Sequence, residues 1–477
     1  MPMNDETITS ETCVSDARMV CDTSQGIELQ APVVRLARHE IVFHVMDPGV
    51  GLRVSEVLAN FRVLLNERNM YSGRAVVSSL VNTGSGFICH ATLDEPTAAG
   101  NPPAAGQSPA QLAASFAEAV QGWQKVYRIL PEFKIAVADI ESFLHELRHW
   151  TERLELSWAM QPGAAPAARQ SDLVSESCRA VTPFLNSLFE KFELVARRID
   201  ADLRPAHAAY VKRLLHPLLL CSPFMHRIFR KPLGYAGDYE MVNMILRDPQ
   251  EGPNLFARVL NSWFLSQDPA EAHRNRVQYL ARRFTEETIN ARERGATLKV
   301  FNLGCGPAGE VAEFMTRQPL SDSADFTLLD FNEETLAYTE EKLAEARRRH
   351  GRRTGLHYVK KSVAQVLKSA AKFPENEYDL IYCAGLFDYL PDRVCQQLMD
   401  MFYRMLKPSG LIIATNVDVS NPIIHIMGYI FEWHLIYRTG RQLAAVAPAA
   451  ADPELCRITA DLTGSNIFLE VRKPAAS

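Results

Sequence analysis

The sequence predicts an α/β chain: a doubly wound parallel sheet at the C-terminus, preceded by a helical region and a small N-terminal β-barrel. Three observations carry this. From Thr297 onward, apolar strand-like runs alternate with helix-like stretches. Between Gln111 and Trp158, apolar residues recur at three and four positions, as at Phe116, Trp123, Val126, Ile129, Ile135, Ile140, Phe143 and Leu147. Between Val33 and Asp94, short β-branched and aromatic runs cluster around Gly and Asn turns. A chain of 477 residues is too long for one core, so two or three units are expected.

In chain order, residues 1–28 are polar and aperiodic and read as a mobile tail. Residues 29–96, with EIVFHVMD and RAVVSSLVNTGSGFICHATLDE, read as the β domain. PTAAGNPPAAGQSP places a linker at 97–110 by composition, and QPGAAPAARQ a second at 161–170. Helices are expected over 111–160 and again over 171–296, the latter as a substrate or lid region, and the sheet domain fills 297–477. A net charge of −5 argues against nucleic acid as a partner, because neutralising phosphates needs a basic excess. Nine scattered cysteines, none spaced as CxxC, read as reduced thiols of a cytoplasmic protein. The acidic start carries no secretory pattern, and no apolar run approaches the ~20 residues that span a bilayer, so no membrane insertion is expected. No Cys/His/Asp cluster has metal-ligand spacing, so no metal is expected.

In LKVFNLGCGPAGEVAEFM an apolar strand runs into Gly304-Cys305-Gly306-Pro307-Ala308-Gly309, and a helix opens at Glu310. Such a loop lets a ligand approach the backbone at a helix N-terminus, which makes Asn302, Gly304, Gly306, Pro307 and Gly309 candidate cofactor contacts. The spacing also fits GxGxxG, which alone does not separate NAD from S-adenosylmethionine. DFTLLDF ends in Asp330, whose carboxylate can accept both hydrogen bonds of a ribose diol, with Phe331 beside it; the alternative is a solvated helix cap. Asn332 reads as the cap of the next helix. LHYVKKSVAQVL supplies a third strand and the loop of Ser362 and Val363. EYDLIYCAGLFDYL supplies a fourth, whose end offers Cys383, Ala384 and Gly385 to a cofactor and Asp388 and Tyr389 to a substrate. Cys305 and Cys383 read as small packing residues rather than nucleophiles. LKPSGLIIATNV is a fifth strand, and LCRITADLTGSNIFLEVRK closes the chain as a hairpin.

This ordered series, from Thr297 to Lys473, resembles the class I S-adenosylmethionine-dependent methyltransferases, with their Rossmann-like sheet. The resemblance implies S-adenosylmethionine as cofactor. It departs from the family pattern at Asn302, where an acid often precedes the first glycine, and at Ser362, where an acid often meets the adenine amine.

PLGYAGDYEM, AHRNRV and FEWHLIYRT, together with this core, resemble a bacterial family of biosynthesis proteins for extracellular factor, 3-hydroxypalmitic acid methyl ester. The implied reaction is carboxyl O-methylation of a hydroxylated fatty acid to make a diffusible quorum-sensing signal. A carboxylate, with a pKa of about 4 to 5, needs no general base. A hydroxyl or amine acceptor would call on His425, His434, Asp388 or Glu432. In FEWHLIYRT, Trp433 and Tyr437, like His434 and Arg438, are spaced for one helix face. Arg438 is then a candidate partner for the substrate carboxylate and Trp433 for its chain; the alternative is an amphipathic helix packed on the sheet. Arg274 and Arg276 in AHRNRV offer partners for the carboxylate of the methionine moiety, a reading the resemblance favours and in which Arg276 is the candidate cofactor contact, or else form a solvated helix face. RKPLGYAGDYEMVN reads as a lid that brings Tyr235 and Tyr239 near the reacting groups with Asp238 as a polar contact, or else as a turn between two helices.

The β domain resembles a PilZ-like barrel, a type that often binds cyclic di-GMP. Arg35 and Arg38 stand one residue too close for its arginine arm, and VNTGSG has Asn82 without the following serine. A degenerate barrel is expected, serving as an interaction or regulatory module through which a homodimer or protein partner is recruited. Two further readings stay open: methyl transfer or sulfonium cyclisation on another small molecule, and a non-enzymatic regulator that binds the cofactor or a cyclic dinucleotide.

Overall fold

The computed structural model describes residues 17–46, 51–65, 68–83, 86–94, 108–126, 128–159 and 167–475. The N-terminal unit is a closed six-stranded barrel of β1 (Ala17–Asp22), β2 (Glu28–Leu36), β3 (Glu40–Val45), β4 (Val57–Leu65), β5 (Arg68–Asn82) and β6 (Phe87–Leu93), in the order β1-β2-β3-β6-β5-β4. Alternate residues point inward, so Met19, Ile41, Phe43, Phe61, Val63 and Val77 fill its interior. β1 lies inside the stretch expected as a tail. Its run of six residues is short, and only its pairing with both β2 and β4 makes it a strand.

A helical layer follows: α1 (Pro109–Val126), α2 (Pro131–Ala159), α3 (Ala167–Ala196), α4 (Arg204–Leu219), α5 (Pro223–Arg230), α6 (Tyr239–Leu246), α7 (Leu255–Leu265) and α8 (Asp268–Glu293). Residues 95–107 and 160–166, which hold most of the two expected linkers, lie outside the described residues. α2 to α7 share one core, centred on Phe133, Phe192, Leu215, Trp263 and Phe264. No described helix is long and apolar enough to cross a membrane.

The C-terminal unit contains β7 (Leu298–Leu303), α9 (Gly309–Arg317), β8 (Ala324–Asp330), α10 (Glu333–His350), β9 (Gly355–Lys360), α11 (Val363–Lys368), β10 (Tyr378–Cys383), α12 (Asp392–Met405), β11 (Leu406–Val417), α13 (Gly440–Ala444), β12 (Cys456–Ala460) and β13 (Asn466–Arg472). Its seven strands run in the order β12-β13-β11-β10-β7-β8-β9. β7 to β11 are parallel, and the β12–β13 hairpin adds antiparallel to β11. Apolar side chains cover both faces, as a parallel sheet wrapped by helices requires. Asn332 caps α10 by accepting from the Thr335 amide at 2.9 Å, as its position in the sequence predicts.

FEWHLIYRT is not a helix beyond Phe431. A π-helical turn, Ile426–Ile430, ends at Glu432, whose φ of 51° is left-handed; the Trp433 amide then donates back to the Met427 carbonyl at 2.8 Å. The chain continues extended to Arg438, which bridges Asp418. Trp433 and Tyr437, and likewise His434 and Arg438, therefore share no helix face.

The same segment holds the barrel in place. The Ser55 hydroxyl donates to the His434 carbonyl at 2.8 Å, and the Val57 amide donates to the Gly234 carbonyl at 2.8 Å. Arg74 of β5 reaches Glu432 at 2.6 Å and the Phe229 carbonyl at 2.9 Å, and Lys212 of α4 reaches the other Glu432 oxygen at 2.5 Å.

Candidate active site

The carboxyl ends of β7, β8 and β10 face one cavity, which continues under the helical layer and is closed on one side by the barrel. β7 leads into Gly304, whose φ of 77° is left-handed, and the Gly304 and Cys305 amides donate to the Leu329 carbonyl at 2.8 and 2.9 Å. That turn exposes Gly306 and Pro307 to the cavity. Gly309 is a packing residue instead: a Cβ there would lie 2.9 Å from Leu246 Cδ1, and it does not line the cavity. Asn302 donates through Nδ2 to the Tyr382 carbonyl at 3.2 Å, which leaves its Oδ1 a buried acceptor with no partner.

Asp330, at the end of β8, is 7% exposed. Its Oδ2 accepts from the Gly306 amide at 3.2 Å and its Oδ1 from the Asn332 amide at 3.0 Å. Burial pushes this carboxyl upward, and the two amides and Arg53 pull against it. Phe331 packs on Tyr235 with ring centroids 5.0 Å apart. Ser362 caps α11: its hydroxyl accepts from the Gln365 amide at 3.3 Å and its own amide donates to Gln365 Oε1 at 2.9 Å. Ser362 and Val363 still line the cavity; the Ser362 amide and one acceptor position of its hydroxyl are engaged by Gln365, and its O–H is left to donate.

Cys383 is fully buried within β10 and burial lifts its thiol well above the ordinary value; Ala384 and Gly385, not Cys383, reach the cavity. Gly385 has a φ of 83°, and a Cβ on it would sit 2.9 Å from Arg276 Nη1. Arg276, on α8, bonds His273 Nδ1 at 2.9 Å. Burial keeps His273 neutral, well below its ordinary value, so the ring nitrogen can accept that bond. No carboxylate lies within ion-pairing distance of Arg276 among the described residues. Gly385→Ala should therefore displace the guanidinium and weaken anion binding in the cavity about tenfold, read by titration with a carboxylate ligand of the site.

The helical core gives the cavity an apolar part, lined by Phe224, Ile245, Phe264, Ile423 and Met427. Trp433 Nε1 donates to the Tyr389 hydroxyl at 3.0 Å, and both residues line this chamber with Asp388. Asp388 Oδ1 accepts from the Val417 amide at 2.7 Å, and burial raises its carboxyl to about 6. Because the folded value lies above the unfolded one, Asp388 supports stability fully only below the unfolded pKa and loses that support as pH rises through about 6. Asp388→Asn keeps the Val417 bond. Denaturant titrations should show the variant gaining on wild type by roughly 2 kcal/mol between pH 4 and 7.

Tyr235 and Tyr239 line the cavity, with hydroxyls 3.5 Å from Thr335 Oγ1 and 2.9 Å from Glu334 Oε1. Asp238 does not: it caps α6 through the Met241 amide at 2.8 Å and pairs with Arg227 at 2.9 Å. RKPLGYAGDYEMVN is thus both a turn between α5 and α6 and a wall of the cavity. Arg438 does not face a substrate. Its guanidinium is 2% exposed and bonds the Phe387 carbonyl at 2.7 Å, the Leu390 carbonyl at 2.6 Å, Asn416 at 2.5 Å and Asp392 at 2.7 Å. The Tyr437 hydroxyl donates to Met427 Sδ at 3.8 Å and also bonds the Asn421 side chain, and His425 pairs with Glu193 at 2.6 Å; neither lines the cavity. The course of the chain after Glu432 turns Tyr437 and Arg438 away, whereas His425 is held by Glu193 ahead of the Ile426–Ile430 turn. Among the described residues no cluster of His, Cys, Asp and Glu is placed to hold a metal.

The structure adds residues that the sequence did not single out. Glu310, held by the Tyr382 hydroxyl at 2.8 Å and raised by burial, lines the cavity below Arg276. Its place as the first residue after the glycine loop was the available signal. Gln25, Leu52 and Arg53 arrive from the barrel, and no local pattern marks them.

A family model described as a methyltransferase domain matches residues 300–410. No curated protein matches the chain in sequence. Solved structures that resemble it include a possible exported protein from Bordetella parapertussis, at 18% identity over 66% of this chain and 100% of that one, with a TM-score of 0.40. Magnesium protoporphyrin IX methyltransferase from Synechocystis PCC 6803 resembles it at 12% identity over 48% and 92%, with a TM-score of 0.32. The N-methyltransferase NodS from Bradyrhizobium japonicum WM9 does so at 14% over 50% and 98%, with a TM-score of 0.30. Likenesses this distant carry no functional weight. The family match spans the glycine loop, Asp330 and the Gly385 turn that frame the cavity, and this part of the chain is a methyltransferase domain.

Proposed function

We propose that the protein is an S-adenosylmethionine-dependent methyltransferase whose acceptor is the carboxylate of a hydroxylated fatty acid, the product being a methyl ester signal. The observation that supports it most is one continuous cavity joining the glycine loop and Asp330, through an arginine with no ion-pair partner, to an apolar chamber. The donor fits the residues present. A carboxylate offers about four acceptor positions, and two backbone amides occupy one on each Asp330 oxygen, so both oxygens keep room for a ribose diol. The orphaned Asn302 Oδ1 suits an ammonium donor and Arg276 suits a carboxylate, the two ends of an amino acid.

The donor, when bound, supplies an electrophilic methyl group on a sulfonium. The chain's own task is to desolvate and align the acceptor, since an ionised carboxylate needs no base. The apolar chamber takes an acyl chain, and the Tyr389–Trp433 pair stands at the junction where an acceptor head group would lie. With Arg438 committed elsewhere, the head group is positioned by Tyr389 and by exclusion of water rather than by a dedicated ion pair. The test is incubation of the pure protein with S-adenosylmethionine and 3-hydroxy fatty acids of several lengths. Methyl ester should appear by mass spectrometry, and no ester at any length overturns the substrate.

A second reading is favoured by Asp388, whose raised carboxyl at about 6 beside the chamber suits a general base for a hydroxyl acceptor. In that case Asp388→Asn abolishes turnover, whereas ester formation from a carboxylate survives it.

A further inference from the structure

The barrel forms part of the cavity wall as well as packing against the methyltransferase domain. Its β1–β2 turn and the segment before β4 place Gln25, Gly51, Leu52 and Arg53 in the cavity wall. A Cβ on Gly51 would come within 3.8 Å of Ala364, so this segment lies against the first turn of α11. Arg53 reaches furthest. Its guanidinium carbon stands 4.3 Å from the Phe331 ring centroid and 5.0 Å from that of Tyr235. Arg53 is 9% exposed; one hydrogen bond, 3.2 Å to the Ser24 hydroxyl, holds Nη2, and Nε is buried without a partner. No carboxylate ion-pairs with it among the described residues, and Glu56, the nearest acid in sequence, is turned to the Ser24 hydroxyl at 2.6 Å and the Arg53 backbone amide at 3.0 Å.

A buried cation without a counter-ion is costly unless something in the site compensates it. Here the compensation comes from two aromatic faces and from Asp330, whose carboxyl Arg53 pulls down against the upward push of burial. Phe331 and Asp330 are the residues against which the nucleoside end of the donor would lie. We infer that Arg53 of the barrel is a donor-binding residue of the methyltransferase domain, roofing the adenosine moiety. The inference rests on the donor reading above. It makes the donor site a composite of two units, incomplete without the barrel.

The test is calorimetric titration of the full chain with S-adenosylhomocysteine and with 5′-methylthioadenosine, which has the nucleoside but no amino acid. Arg53→Ala should weaken both ligands by about tenfold, whereas Arg276→Ala should weaken only S-adenosylhomocysteine. Unchanged affinity in Arg53→Ala, or a loss confined to S-adenosylhomocysteine, overturns the inference while leaving the donor reading intact. Wild-type protein that binds neither ligand overturns the donor reading and this inference with it. A measurement on wild type guards against a variant that folds poorly: amide hydrogen exchange over residues 51–56 should slow when 5′-methylthioadenosine binds, and an unchanged rate counts against Arg53.

Discussion

Asp330→Ala is expected to weaken S-adenosylhomocysteine binding by at least about 100-fold, because two hydrogen bonds to a charged acceptor are lost and each is worth about 1.5–3 kcal/mol. The same change frees the Gly306 and Asn332 amides, which now donate to the carboxylate at 3.2 and 3.0 Å. That loss costs about 1–3 kcal/mol, partly offset because a buried carboxylate no longer has to be desolvated. Asp330→Asn is the milder change: its amide oxygen can still accept from Asn332, but its nitrogen can accept neither from the Gly306 amide nor from a ribose hydroxyl. Both variants should bind weakly, and both should melt earlier than wild type, the alanine variant by more because it loses both amide bonds. Wild-type affinity in either would remove Asp330 from the site.

Glu432→Ala is expected to be the most destabilising single substitution at the contact between the barrel and the rest of the chain. Glu432 is 1% exposed, with Arg74 at 2.6 Å and Lys212 at 2.5 Å on its two oxygens. Lys231, also buried, donates to the neighbouring Phe431 carbonyl at 3.0 Å. Burial alone would raise the Glu432 carboxyl, but Lys212 and Arg74 hold it well below the usual carboxylate range. Removing Glu432 leaves these cations facing each other largely out of water, with Asp94, 2.9 Å from Arg74, offsetting them in part, a loss of about 3–5 kcal/mol. Thermal melts should show a separate early transition in which the barrel comes away, and a wild-type melting profile would refute the reading. The sign with pH follows from the depressed carboxyl: its stabilisation is in place above the unfolded glutamate pKa of about 4 and disappears as pH falls below it.

The parts of the molecule governed by local rules were legible in the sequence. The glycine loop, Asp330, the Asn332 cap, the Gly385 turn and the closing hairpin each follow from residues adjacent in the chain. Arg438 was misplaced because an i, i+4 argument assumes a continuous helix, and the left-handed Glu432 breaks it. What holds Glu432 in that conformation is Arg74 and Lys212, more than two hundred residues away in sequence. β1 was missed for a similar reason, since closure of the barrel rather than its own composition makes it a strand. Arg53 carries no local mark at all, because its meaning depends on which ring lies opposite it.

The Glu432–Trp433 step has a consequence in thermodynamic linkage. One residue is clasped by the barrel and the next donates to the Tyr389 hydroxyl at 3.0 Å, so the two peptide-linked positions cannot be set independently. Whatever free energy couples ligand binding in the apolar chamber to docking of the barrel through this step acts with equal magnitude in both directions. A partner that grips the barrel only when it is docked would therefore tighten the acceptor chamber without touching it, and one that grips it only when released would loosen the chamber by the same route.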